Sequence, residues 1–158
     1  MALLFIIYIV LIVSYIVVPF ETGDVLFSWS GTLTHLVWTG GQGALNQHLF
    51  KVTSEAVPKW FFFYWISEHI AAFRAIAASK ATTMGHIQRH HLHEALTIVP
   101  TPEFLLEADC VIGPLFDQAI QNSIESERLC QLRDLLLPSL LTGEIHLEEA
   151  QKMVGETQ

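Results

Sequence analysis

Leu132-Arg133-Asp134-Leu135-Leu136-Leu137-Pro138-Ser139-Leu140-Leu141-Thr142-Gly143-Glu144-Ile145 sets the architecture of the chain. It reads as the last turns of a long helix, a proline break at Pro138, a short apolar turn and a glycine stop at Gly143. Proline withholds a backbone N–H, and glycine accepts the left-handed conformation in which many helices end. Upstream, Leu115, Ala119, Asn122, Ser126 and Leu129 recur at alternating steps of four and three, and Leu132 and Leu136 continue the stripe. That spacing predicts a helix over 115–137 whose apolar seam takes a second helix. Asn122 is a polar position in the seam, a device that fixes register at some cost in stability. Leu115, Asn122, Leu129, Leu132 and Leu136 are therefore the expected subunit-interface residues.

Working back from the tail, Gly113-Pro114 predicts a break between the long helix and a short helical segment near 103–112. Pro100 and Pro102 mark the best domain boundary. Before it the pattern changes. Residues 95–99 read as a short strand and 86–94 as a short helix after a polar loop, 79–86. Residues 59–78 read as a helix entered through Pro58, with Phe61, Trp65, His69, Ala72 and Ile76 along its apolar face. Residues 25–28, 32–39 and 45–52 read as strands separated by Gly23-Asp24 and Gly40-Gly41-Gln42-Gly43 turns. The expected fold class is α+β, a mostly β half-domain followed by a long coiled-coil-type helix. Its segments are 1–19 (apolar), 20–100 (β-rich), 101–146 (helical) and 147–158 (tail).

The 158 residues suffice for one ordinary domain with a helical appendage, and 51% of them are hydrophobic, enough to fill a core. The net charge of −8 is the wrong sign for a free-standing nucleic-acid binder. Its distribution says more. Residues 51–100 hold five Lys/Arg against three acids, whereas 101–158 hold eleven acids against three bases. Any DNA-facing surface would therefore lie in the middle third, and the acidic last third suits a solvated helix or a protein partner better. Cys110 and Cys130 lack any metal-ligand pattern and fit reduced thiols in a cytoplasmic protein.

No charge precedes Glu21, and 2–18 are almost entirely aliphatic, long enough on its own for a membrane span of about 17–25 residues. The first basic residue is Lys51, so no positive flank sets an orientation. The Ile, Val and Tyr content equally favours a buried strand. If Ile16, Val17 and Val18 belong to the domain that follows, too few residues remain to cross a bilayer. A membrane location through 1–19 is the alternative to the cytoplasmic one, and a foreign start fused to a truncated gene is the third reading.

Three blocks carry a resemblance in order and spacing. The first is Phe20-Glu21-Thr22-Gly23-Asp24-Val25-Leu26-Phe27-Ser28-Trp29-Ser30-Gly31, continuing to Gly43-Ala44-Leu45-Asn46-Gln47-His48-Leu49-Phe50. The second is Lys80-Ala81-Thr82-Thr83-Met84-Gly85-His86-Ile87-Gln88-Arg89, ending at Val99-Pro100, and the third runs from Arg128 through Ile145. Together they resemble specificity subunits of type I restriction-modification systems, over nearly everything from about residue 16 onward. The resemblance implies part of a DNA target recognition domain and one conserved helical region. A complete subunit has two of each, and its helices pair antiparallel to set the spacing of a split DNA site. It implies no catalysis in this chain and no cofactor. The expected partners are double-stranded DNA, the methylation and restriction subunits and, through the helix, a second specificity chain. A membrane-tethered interaction protein and a gene remnant without function are the rivals.

Within the resemblance, Lys80 and Arg89 are the cations suited to phosphates, and Thr82, Thr83 and His86 can donate neutral hydrogen bonds. Gln47 and Asn46 are suited to an adenine edge in the major groove, or else to backbone groups in a turn. His86, His90, His91 and His93 invite a metal reading, but no third ligand shares the face of His86 and His90, so a solvated polar face is expected. Ser28-Trp29-Ser30-Gly31 lacks the flanking glycines of a nucleophile elbow, and Gly40-Gly41-Gln42-Gly43 is too short for a phosphate loop.

Overall fold

The computed structural model describes residues 18–80 and 85–155. The spanning, buried-strand and foreign-start readings of 1–19 thus fall almost wholly outside the described residues. No helix among the described residues is long and apolar enough to cross a membrane. The fold is α+β, and the chain divides into two compact units, residues 1–120 and 121–158.

In the first unit, β1 (Pro19–Phe20) pairs antiparallel with β4 (Gly43–Ala44). A second sheet has the order β3-β2-β5, from Thr34–Val37, Val25–Ser28 and Leu49–Val52. The turn into β2 is built from its own residues. Asp24 Oδ2 accepts the Glu21 N–H at 2.8 Å, and Gly23 has φ +92°, which a side chain would strain. Register sets Val25 opposite Val52 and Phe27 opposite Phe50, so these four share one face of the sheet by the two-residue period. Phe27, only 2% exposed, meets Phe73 from the following helix with ring centroids 6.1 Å apart. That contact places the core between the sheet and α1 (Lys59–Lys80).

The buried residues of α1 are Trp60, Phe61, Phe62, Ile66, Phe73 and Ala77. The expected face through Trp65, His69, Ala72 and Ile76 is displaced by one position, and Ala72 is exposed. Apolar residues surround the first turns on every side, so periodicity alone did not select the inward stripe. The first turns of α1 also find cover on a second side. α3 (Pro102–Thr142) supplies it within this unit: Trp60 Nε1 donates to Asp109 Oδ1 at 2.7 Å, and Phe116 lies 5.3 Å from Phe63 and 6.0 Å from Tyr64 by ring centroid.

Two expected interruptions of α3 do not occur. Pro114 and Pro138 both lie inside the helix. Each removes one donor, leaving the carbonyls of Cys110 and Asp134 without a helical partner. Both prolines and both of those residues are exposed, so the freed carbonyls lie on residues that water can reach. The helix therefore runs over Pro102–Thr142 rather than the expected 115–137, with the expected glycine stop just beyond it. Thr101 Oγ1 accepts the Phe104 N–H at 3.4 Å with Pro102 as the first helical residue. At the other end Gly143 has φ +74°, its N–H reaches the Leu140 carbonyl, and the Glu144 N–H reaches Ser139, the paired closure of a Schellman motif. In the second unit α4 (Leu147–Gly155) follows, its Glu149 carboxylate accepting the His146 N–H at 3.2 Å.

The strand expected over 95–99 is also absent. Thr97 is buried while Leu96 and Ile98 are more than half exposed, so the alternation is present without a neighbouring strand to pair it.

His35, on β3, is half-buried against α1. Its Nε2 shares a 2.8 Å hydrogen bond with Ser67 Oγ, and its ring lies 4.7 Å from that of Phe63. Burial first, and then the nearby Arg74 guanidinium, hold its imidazole below the ordinary value of 6.5. The unfolded chain therefore takes up this proton more readily than the folded one. The stabilisation is complete above the unfolded value and is lost as pH falls through the lower folded value. The melting-temperature difference between the native chain and His35→Gln is expected to shrink from pH 7 to pH 5. A difference independent of pH would contradict this role.

Candidate functional site

The turn between β4 and β5 and the segment entering α2 (Arg89–Glu94) meet at one edge of the first unit, and Trp29 joins them. Its indole Nε1 donates to the Gln47 carbonyl at 3.1 Å, and its backbone N–H to the His48 carbonyl at 3.3 Å. On the other side the Ile87 N–H donates to the Trp29 carbonyl at 3.1 Å, and Ser30 forms a single β-bridge with His86. The Trp29 ring is stacked on Phe50 at 6.0 Å and has His48 at 5.9 Å and His86, edge-on, at 6.0 Å. Gln47, His48 and His86 are exposed, while Trp29 is half-buried.

The expected DNA-contact residues are distributed unevenly about this edge. Gln47 and His86 flank Trp29 from opposite loops. Lys80 is the last residue of α1, and Arg89 is exposed in the first turn of α2. Thr82 and Thr83 lie outside the described residues. Asn46 serves the turn: its Oδ1 accepts the His48 N–H at 2.8 Å. Trp29 and His48 were not among the expected contacts, although both stand within the quoted blocks. An indole between two serines at the end of a strand was the available signal.

The histidines do not form the uniform solvated face expected of them. His86, His90 and His93 are exposed, but His91 is 7% exposed and its Nδ1 accepts the Gln88 N–H at 2.9 Å, capping α2. No group of three metal-capable side chains converges among the described residues.

Gly85 fixes the His86 loop in place. A Cβ there would sit 2.8 Å from the Ala77 carbonyl oxygen of α1, a backbone atom that cannot yield. The loop is tied down on both sides of that approach, by the Gly31 N–H on the Gly85 carbonyl at 3.0 Å and by Ile87, 2% exposed. Gly85→Ala is expected to destabilise the chain by about 1–3 kcal/mol, the usual cost of overpacking. Chemical unfolding with no measurable loss would show that the loop sits off the helix.

The seam on α3 is uncovered in part. Leu115 and Leu129 are 67% and 52% exposed, Asn122 is exposed, and Leu132 and Leu136 are half-buried. Within the first unit, Phe116, which packs on α1, lies roughly a quarter-turn round the helix from the exposed Leu115.

No family model matches the chain. Its sequence is 26% identical over 102 residues to the type I restriction enzyme MjaIX specificity subunit of Methanocaldococcus jannaschii. It is 44% identical over 68 residues to the type I restriction enzyme HindI specificity subunit of Haemophilus influenzae. The chain is similar to part of a type I restriction enzyme specificity subunit. The alignments cover 65% and 43% of this chain but only 24% and 15% of those relatives. The Trp29 edge and the helical seam are thus features of a chain that spans less than a quarter of the curated specificity subunits it matches.

Proposed function

We propose that this chain acts as a non-catalytic DNA-specificity element of a type I restriction-modification complex, the cleaving and methylating activities residing in partner subunits. The observation that carries the reading is the similarity to two specificity subunits from distant organisms, strongest at 44% identity over 68 residues. Two features of the chain support it. Lys80, Thr82, Thr83, His86 and Arg89 follow one another in the mildly basic middle third, and Gln47 stands beside His86 at the Trp29 edge. Cations there would neutralise phosphates, and neutral donors would fix the chain on the duplex. The second feature is the partly exposed seam through Leu115, Asn122, Leu129, Leu132 and Leu136, suited to a methylation subunit or a second specificity chain.

The net charge of −8 shapes the expected behaviour. Few cations face many acids, so affinity for DNA would come with assembly, and the few phosphate contacts of this chain would add little to the salt dependence of the complex. Co-expression with the methylation subunit of a type I restriction-modification system from the same source tests the proposal directly. A complex that forms and retains duplex DNA better than the methylation subunit alone is expected. The reading fails if no complex forms and the chain does not self-associate.

A further inference from the structure

We infer that Trp29 is a positioning residue that holds the Gln47 amide, oriented by His48, for recognition of an adenine edge. The inference rests on the DNA reading above and adds a residue-level mechanism to it. Gln47 Nε2 donates to His48 Nε2 at 3.2 Å, and the His48 ring in turn leans on Trp29. One amide hydrogen is thereby used, which leaves Oε1 and the second hydrogen available on an exposed side chain. An oxygen acceptor beside an N–H donor is the pair that matches adenine N6 and N7 in the major groove. Asn46, of the same chemistry, is committed to its turn through the His48 N–H. Gln47 is the amide left for the task.

The indole reaches this amide through the main chain. Its Nε1 bond to the Gln47 carbonyl and its backbone bond to the His48 carbonyl fix both residues to β2, while the stack on Phe50 fixes the indole itself. The same ring carries His86 on its other side, so a base contact and a phosphate-directed side chain share one support. Immobilising such groups before binding reduces the ordering cost of the complex.

The test uses the full chain assembled with its methylation subunit and a pool of duplexes with a randomised core. Selection by the native complex is expected to fix at least one A·T pair. Discrimination against its G·C replacement should fall roughly tenfold or more in Gln47→Ala, as for loss of a bidentate base contact. Trp29→Phe, which keeps an aromatic ring but drops the indole N–H, should lose a comparable factor at unchanged salt dependence. Combined with Gln47→Ala, neither Trp29→Phe nor His48→Ala should cause further loss, which a purely structural role would not produce. If Trp29→Phe fails to fold, the His48→Ala comparison carries the same test on an exposed residue. A native complex that selects a sequence indifferent to Gln47→Ala overturns this inference and leaves the DNA reading standing. So does additive loss in the combined variants. A native complex that selects no sequence overturns both.

Discussion

Phe116→Ala is expected to cost the folded chain about 3–5 kcal/mol, the usual range for deleting a buried aromatic ring. Phe116 is 7% exposed and faces two rings of α1, Phe63 and Tyr64. The two walls of the resulting cavity differ. Phe63 also meets His35, whose ring is 4.7 Å away, whereas Tyr64 is 53% exposed and less confined by neighbours. Partial collapse from the Tyr64 side puts the expected value near the lower end, about 3 kcal/mol. Since a domain of this size has about 5–15 kcal/mol in total, the midpoint of urea unfolding should drop by a large fraction. Leu115→Ala is the matched control. Its side chain is the adjacent residue but 67% exposed, and its replacement should change stability by no more than about 0.5 kcal/mol. Equal losses at 115 and 116 would mean that α3 meets α1 on a different face.

That control also shows what the sequence made legible. The four-and-three spacing from Leu115 identified a stripe, and the structure leaves Leu115 and Leu129 exposed on it. Phe116, which packs on α1, was hidden beside it because it too belongs to a run with helical spacing. Local rules marked two ends of the long helix through single residues. Pro102 opens α3 and Gly143 closes it, since those residues act through their own backbone. They did less well inside elements. Pro114 and Pro138 each read as a break, yet exposed carbonyls keep the cost of a missing donor low enough for the helix to continue. Residues 95–99 have strand alternation, but a strand needs a neighbour, and pattern says nothing of neighbours. The Trp29 edge was out of reach for the same reason. Its parts come from positions 29, 46–48 and 86, and only the tertiary fold brings them together.

Leu129→Asp is expected to abolish assembly while leaving folding almost unchanged. Leu129 is 52% exposed within the second unit, so the chain alone loses little beyond helix propensity, about 0.5 kcal/mol. In a paired seam the same position would be covered. Burying a leucine is worth about 1.5–3 kcal/mol, and a carboxylate forced into the seam adds a desolvation penalty of several kcal/mol per ion. Their sum weakens assembly by roughly a hundredfold or more. The surroundings sharpen the effect, because eleven acids against three bases already occupy residues 101–158. They also demand a control for charge alone. Gln131→Asp adds the same charge on the opposite side of α3, at an exposed residue whose Glu127 hydrogen bond is worth little. Copurification with the methylation subunit, together with sedimentation for self-association, separates the cases. Loss confined to Leu129→Asp identifies the seam as the docking surface. Equal loss in both variants would assign the effect to net charge, and retention in Leu129→Asp would remove the seam from assembly altogether.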